Sequence, residues 1–217
     1  MDNNFIITIS RGYGSGGKVI GKKLAKEFKI PYYDSEILKM ASEESGINEA
    51  LFAKADEKVD GFSFLRALPK KGAFEGGLIS PSSPDFVSKE NLFNYQAHVL
   101  RNLAGKESFI VIGRAADYIL DGYPNLVRVH VYAPFEDCVK TVCDMFSVDK
   151  KEAKKRIKTI DKERGDFYKY YTGNNWQSPE NYDLIFNTSK TGWDNCAKLI
   201  KSYVKLKIKE SEKNEKK

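Results

Sequence analysis

Residues 12 to 18 read Gly12-Tyr13-Gly14-Ser15-Gly16-Gly17-Lys18, with Val19 next, and fit the spacing G-x-x-x-x-G-K. That pattern suits one chemistry. Glycines let a backbone wrap an anion with its N–H groups turned inward, often at positive φ where a Cβ would clash. A lysine after the last glycine brings a full charge toward the β and γ phosphates of a nucleoside triphosphate, and a helix starting there adds its dipole. A glycine-rich turn that binds nothing is the alternative. The coincidence of strand, spacing, lysine and helix favours the phosphate site. Val19 stands where a Ser or Thr hydroxyl ordinarily reaches Mg2+, so either waters and another side chain complete the metal shell or metal use is weak.

Other cations recur at meaningful places. Arg114 follows an apolar run at 109–113. At the end of a hydrophobic strand it would lie in the crevice where α/β sheets bind ligands, and its planar fork suits phosphate oxygens. An ion pair with a nearby carboxylate such as Asp117 is the other use open to it. Arg156 and Arg164 are eight residues apart, which on a helix places them about 80° apart around the axis, near enough to converge. Lys158 and Lys162 enlarge the same positive field, although a solvated lysine-rich helix would look similar. Asp34 precedes a helical stretch and could serve as its N-cap.

These residues need elements to hold them. Strand-like runs at 5–10, 109–113, 127–132 and 184–187 alternate with helical patterns, which predicts a parallel sheet covered on both faces. Ile20, Leu24 and Phe28 recur every four residues after the glycine turn, and Trp193, Ala197, Ile200 and Val204 repeat the signal near the end. Asp149 with Glu152 three residues on is a capping-box pattern that should open a helix bearing Ala153, Ile157 and Ile160 as an apolar stripe. The stretch from Asp56 to Lys89 scatters Pro69, Gly72, Gly76, Gly77, Pro81 and Pro84 among few periodic apolar residues and reads as an irregular insertion.

Composition narrows the class. The 217 residues suffice for one substantial core. Hydrophobic residues make up 41%, yet no run approaches the roughly 20 needed to span a bilayer, so no membrane role is expected. Cys138, Cys143 and Cys196 show no metal-ligand spacing and cannot all pair, which suits a reducing compartment, by default the cytoplasm. No protein-held metal site is expected. Six lysines against three glutamates in 205–217 account for half of the net charge of +6 and predict a solvated tail. The body is then only mildly basic, which argues against a nucleic-acid surface and for local phosphate-binding cations. His98 and His130 lack a partner constellation and are read as structural.

The chain resembles the cytidylate-kinase-like branch of the P-loop nucleoside monophosphate kinases over nearly its whole length. The resemblance rests on an ordered set of motifs: Ser10-Arg-Gly-Tyr-Gly-Ser-Gly-Gly17, Tyr32-Tyr-Asp-Ser-Glu-Ile-Leu38, Ile112-Gly-Arg-Ala-Ala-Asp117, Asp161-Lys-Glu-Arg164, Phe167-Tyr-Lys-Tyr-Tyr-Thr-Gly173 and Asn181-Tyr-Asp-Leu184. It implies an α/β P-loop NTPase fold, a central parallel sheet flanked by helices, in a single domain over 1–204. A helical acceptor-side region at 35–104 and a mobile lid at 149–173 would complete it, with the charged tail at 205–217 outside. The implied activity is transfer of the ATP γ-phosphoryl group, with Mg2+, to a nucleoside monophosphate such as CMP or dCMP.

The resemblance assigns Lys18 and the turn residues Gly12 to Val19 to the donor, and Asp34, Arg114 and Asp117 to the acceptor side. Arg156 and Arg164 would meet the charge that develops in transfer. Phe167, Tyr168, Tyr170, Tyr171 and Trp176 could stack on a base, but core packing is the expected use for most of that aromatic set. The chain departs from the pattern in one helix, where similar kinases carry arginines near the positions of Cys138 and Thr141. Lys140 can replace charge there but not bidentate geometry. A nucleotide-binding regulatory protein with little turnover is the competing reading, and the oligomeric state is left open.

Overall fold

The computed structural model describes residues 4–56 and 77–214. Most of the expected irregular insertion, 57–76, lies outside the described residues. Five strands form one parallel sheet: β1 (Ile6–Arg11), β2 (Tyr32–Tyr33), β3 (Phe109–Ile112), β4 (Leu126–Tyr132) and β5 (Leu184–Asn187). Their order is β2-β3-β1-β4-β5, so β1 is central and the order reverses beside it. In register, Ile9 of β1 faces Ile112 of β3 and Val129 of β4.

The period-2 alternation of the strands divides the core between two faces. Ile7, Ile9, Ile110, Ile112, Val127, Val129 and Val131 point to one side. There they meet Ile20 and Leu24 of α1 (Gly17–Phe28) and Cys196, Ala197, Ile200 and Val204 of α9 (Trp193–Asn214). Ile6, Phe109, Val111 and Leu126 point to the other. That side is covered by α2 (Glu36–Ser45), α3 (Glu49–Ala55), α4 (Lys89–Ala104) and the short α5 (Ala116–Ile119). Between residues 77 and 89 the described chain forms one 3-10 turn at Pro84–Val87, with Pro at its start.

Two further helices cross the C-terminal ends of the strands: α6 (Phe135–Phe146) and the 23-residue α7 (Lys150–Thr172). The Glu152 amide donates to the Asp149 carboxylate at 2.8 Å, the N-cap half of the expected box. The Glu152 side chain does not return the bond but pairs with Arg156 instead. Ala153 and Ile157 pack on Cys138, Val139 and Val142 of α6. At its other end α7 buries Phe167, Tyr168 and Tyr171, and Tyr171 stacks on Phe93 with ring centroids 3.9 Å apart. Core packing thus accounts for most of the aromatic set, and Trp176 is buried beside His130.

The charged segment from 205 is helical through Asn214, because α9 continues to that residue, and most of its side chains stay exposed. Three contacts hold the extension down. Lys207 Nζ donates to the Leu126 carbonyl, Ile208 packs against the core, and the Ser211 hydroxyl donates to Asn125 at 2.6 Å. The short α8 (Thr188–Thr191) links β5 to α9. Among the described residues no helix is long and apolar enough to cross a membrane.

Candidate active site

The glycine turn joins β1 to α1 at the C-terminal end of the central strand. Gly16 adopts φ +89° as the N-cap of α1, and a Cβ there would stand 2.1 Å from the indole nitrogen of Trp193. At Gly14, also at positive φ, a Cβ would lie 2.8 Å from the Cys138 carbonyl. The turn is therefore clamped between α6 and the start of α9, and only glycine fits. The Ser15 hydroxyl lies 2.8 Å from the Gly12 carbonyl and 3.1 Å from that of Val131, wholly buried, so Ser15 offers a ligand only its backbone.

The turn opens on a cavity of about 320 Å³ walled by Gly12, Tyr13, Gly14, Gly16, Gly17, Lys18 and Val19, by Met145 and Phe146 at the end of α6, and by Arg11 and Arg164. Tyr13 stacks on Phe146 with centroids 6.0 Å apart. The side chain of Lys18 is 55% exposed, and its Nζ lies 2.5 Å from the Asp34 carboxylate. Asp34 is thus a partner of the turn and not the N-cap of α2, a position that falls to Ser35.

Arg114 sits just past β3 in a backbone that no regular element explains. Gly113, Arg114 and Ala115 take φ of 69°, 60° and 52° in succession. Left-handed conformations at non-glycine residues cost about 1–3 kcal/mol each and persist where surroundings over-determine them. Here Arg114 Nε donates to the Asp34 carbonyl at 2.7 Å, and its two terminal nitrogens grip the Asp56 carboxylate. Its carboxylate partner is therefore Asp56, not Asp117.

Asp117 is buried and accepts a 2.6 Å hydrogen bond from Tyr168 of α7. Burial pushes its carboxyl up to about 6, against the pull of the Tyr168 hydroxyl. Asp117, Arg114, Arg11 and Arg164 line a second, smaller cavity of about 20 Å³ together with Tyr168 and Trp176. Arg11 and Arg164 are common to both cavities.

Helix α7 brings one of the two expected arginines inward. Arg164 Nη1 donates to the Arg11 carbonyl at 3.2 Å, and its guanidinium lies over the Tyr13 ring at 5.6 Å. Arg156, two turns earlier, is held by Glu152 at 2.7 Å with its side chain 39% exposed, and it too feels the Tyr13 phenol. Asp161 accepts from the Tyr13 amide at 2.7 Å. Burial pushes its carboxyl up, while the Tyr13 amide, Arg164 and Arg11 pull it down.

On α6, Cys138 is buried beneath Gly14, and burial pushes its thiol up to about 11. Neither it nor Thr141 supplies the arginine that the resemblance leads one to expect. Lys158 lies 5.9 Å over the Phe135 ring and Lys162 pairs with Asp166, both on the outer side of α7. His98 pairs with Glu44 at the surface, and His130 is buried against Ser10 and Tyr182. Asp56, Asp161 and Arg11 are the site residues that pattern reading overlooked. Asp161 alone carried a signal, its i,i+3 spacing to Arg164.

The turn offers a divalent ion few ligands. Val19 has no hydroxyl, that of Ser15 is turned into the backbone, and the Asp34 carboxylate is taken by Lys18. No group of three acidic, His or Cys side chains converges among the described residues. An ion brought by a triphosphate would therefore be held at this turn by phosphate oxygens and water.

Comparison with known proteins bears on the family and the fold. A cytidylate kinase of Methanopyrus kandleri is 22% identical over 201 residues, which is 92% of either chain. The crystal structure of an uncharacterized protein from Eubacterium ventriosum superimposes with a TM-score of 0.67 at 24% identity, covering 93% of this chain and 99% of that one, and so shares the fold. The profile of the cytidylate kinase-like family matches residues 6–190, a span running from β1 through the glycine turn, Arg114 and α7 into α8. With that match across most of its length, the chain belongs to the cytidylate kinase-like family.

Proposed function

We propose that the protein transfers the γ-phosphoryl group of ATP to a nucleoside monophosphate, with CMP or dCMP as the acceptor. The observation that carries this reading is the meeting of Lys18, Arg164 and Arg114 around two cavities that share a wall at the C-terminal end of the sheet. Such a reaction asks mostly for positioning and charge neutralisation, and no dedicated base. The turn amides and Lys18 hold the donor phosphates, and Arg114 takes the acceptor phosphate in exchange for Asp56. Arg164 meets charge as it builds on the transferring group. Mg2+ arrives with the triphosphate. The three free thiols suit the reducing cytoplasm.

A coupled ADP-release screen across ribo- and deoxyribonucleoside monophosphates, with Mg2+ and with Mn2+, tests this directly. Turnover with a cytidine acceptor is the expected result. ATP binding without product from any monophosphate would instead favour a regulatory nucleotide-binding protein.

A further inference from the structure

Arg11 is the last residue of the central strand and immediately precedes the glycine turn. Only 6% of it is exposed, and its stem lies over Gly17. Charged side chains are rarely so buried without anionic company, and Asp161 of α7 supplies part of it. Its placement is unusual in a second respect: together with Arg164 it borders both the cavity of the glycine turn and the one that holds Arg114. Its charge is felt on both flanks, pulling down the Asp161 carboxyl on α7 and the Tyr32 phenol on β2.

We propose that Arg11 is a further catalytic residue, whose guanidinium holds the phosphoryl group in passage between donor and acceptor. The proposal rests on the phosphotransfer reading above. An acceptor phosphate oxygen forms a bond to the γ-phosphorus while the bond from that phosphorus to the bridging oxygen breaks, its electron pair leaving on the nucleoside diphosphate. Arg11 stays protonated throughout and supplies charge and two parallel donors, the geometry that suits a transferring phosphoryl group. Helix α6 offers the turn no arginine of its own, since Cys138 is packed under Gly14 and Thr141 carries no charge. Strand β1 is a rigid mount for such a group, since it is paired on both sides, whereas α6 is a surface helix.

The test compares ATP with P1-cytidyl-P5-adenosyl pentaphosphate, which fills both sites at once, by calorimetry on wild type, Arg11→Lys and Arg11→Met. Wild type should bind the bisubstrate analogue at least about 100-fold more tightly than ATP. In Arg11→Met that advantage should shrink at least about tenfold while ATP affinity stays within about threefold, the cost expected for one charge-assisted contact. Arg11→Lys, which keeps charge and stem, should fall between. In Arg11→Ala, kcat should drop about 100-fold with part of it restored by millimolar guanidinium, which a purely structural arginine would not show. If wild type prefers the analogue and Arg11→Met keeps the full preference, Arg11 is not a phosphate ligand and only this proposal fails. If wild type shows no preference at all, the two-site reading fails and Arg11 loses its role with it.

Discussion

Lys18 Nζ and the Asp34 carboxylate stand 2.5 Å apart, so the cation of the glycine turn is engaged by the residue just past β2 before any ligand arrives. The lysine is half exposed, and ion pairs of that kind are worth about 0–1 kcal/mol. Triphosphate should displace Asp34 easily. Lys18→Ala is expected to weaken ATP binding by about 10- to 100-fold, the worth of a charge-assisted contact, with the fold intact because Ile20 and Leu24 anchor α1 independently. Asp34→Asn should strengthen ATP binding by up to about fivefold. Calorimetric titration checks both, and unchanged affinity in folded Lys18→Ala would remove the turn from the donor site.

Arg114→Ala should act on the acceptor. Its guanidinium is clamped by Asp56 and by the carbonyl of Asp34, whose carboxylate alone reaches Lys18. We expect the acceptor KM to rise about tenfold or more, while the ATP dissociation constant changes little. A collapse of ATP affinity alone would move Arg114 to the donor side.

The two arginines of α7 should separate in kinetics. Arg164 is packed between the turn and Arg11, so Arg164→Ala should lower kcat about 100-fold. Arg156 is tied to Glu152 on the open face, and Arg156→Ala should cost far less. Equal losses would mean that α7 turns inward on ligand binding. Hydrogen exchange across 149–172, with and without ATP and the bisubstrate analogue, reports that movement as added protection in its N-terminal half. The C-terminal half, stacked on Phe93, should not respond.

Two buried groups make opposite demands on pH. Asp117 is displaced upward from 3.8 to about 6 by burial, so its contribution favours folding below pH 3.8 and is lost as pH rises through 6. His130 is displaced downward from 6.5 to about 4 by burial, so its contribution is present above pH 6.5 and lost as pH falls through 4. Either displacement corresponds to about 3 kcal/mol. Between pH 4 and 6 they should nearly cancel, giving wild type a flat stability profile there. Asp117→Asn should leave the His130 loss exposed, so that stability falls with acid across this window, and His130→Gln should reverse the slope. Denaturant melts at four or five pH values decide it, and parallel curves for all three proteins would contradict the assignment.

Much of this architecture was legible in advance because it depends on local pattern. The strands at 109, 127 and 184, the helix after the glycine turn and the cap at Asp149 follow from periodicity and from single residues. The partners in the site were not, since they meet across long separations. Asp56 reaches Arg114 from 58 positions away and Asp161 reaches Tyr13 from 148, and neither contact leaves a spacing to read. At the C-terminus alternate lysines hid Ile208, which extends the face of Ala197, Ile200 and Val204 by one more turn. The near-alignment of Arg156 and Arg164 follows from helix geometry, whereas the i,i+4 pair of Arg156 with Glu152 was in the sequence and went unread.

The contact between Gly16 and Trp193 has an optical side. The chain holds two tryptophans, and the other, Trp176, lies against Gly165 of α7, its indole nitrogen 3.0 Å from where a Cβ would be. One indole therefore touches the donor turn and the other touches the arginine-bearing helix. In Trp176→Phe the remaining emission should follow triphosphate entering the turn, and in Trp193→Phe it should follow the helix alone. The protein thus carries its own two-channel fluorimeter, able to time donor binding and helix response separately within one stopped-flow experiment.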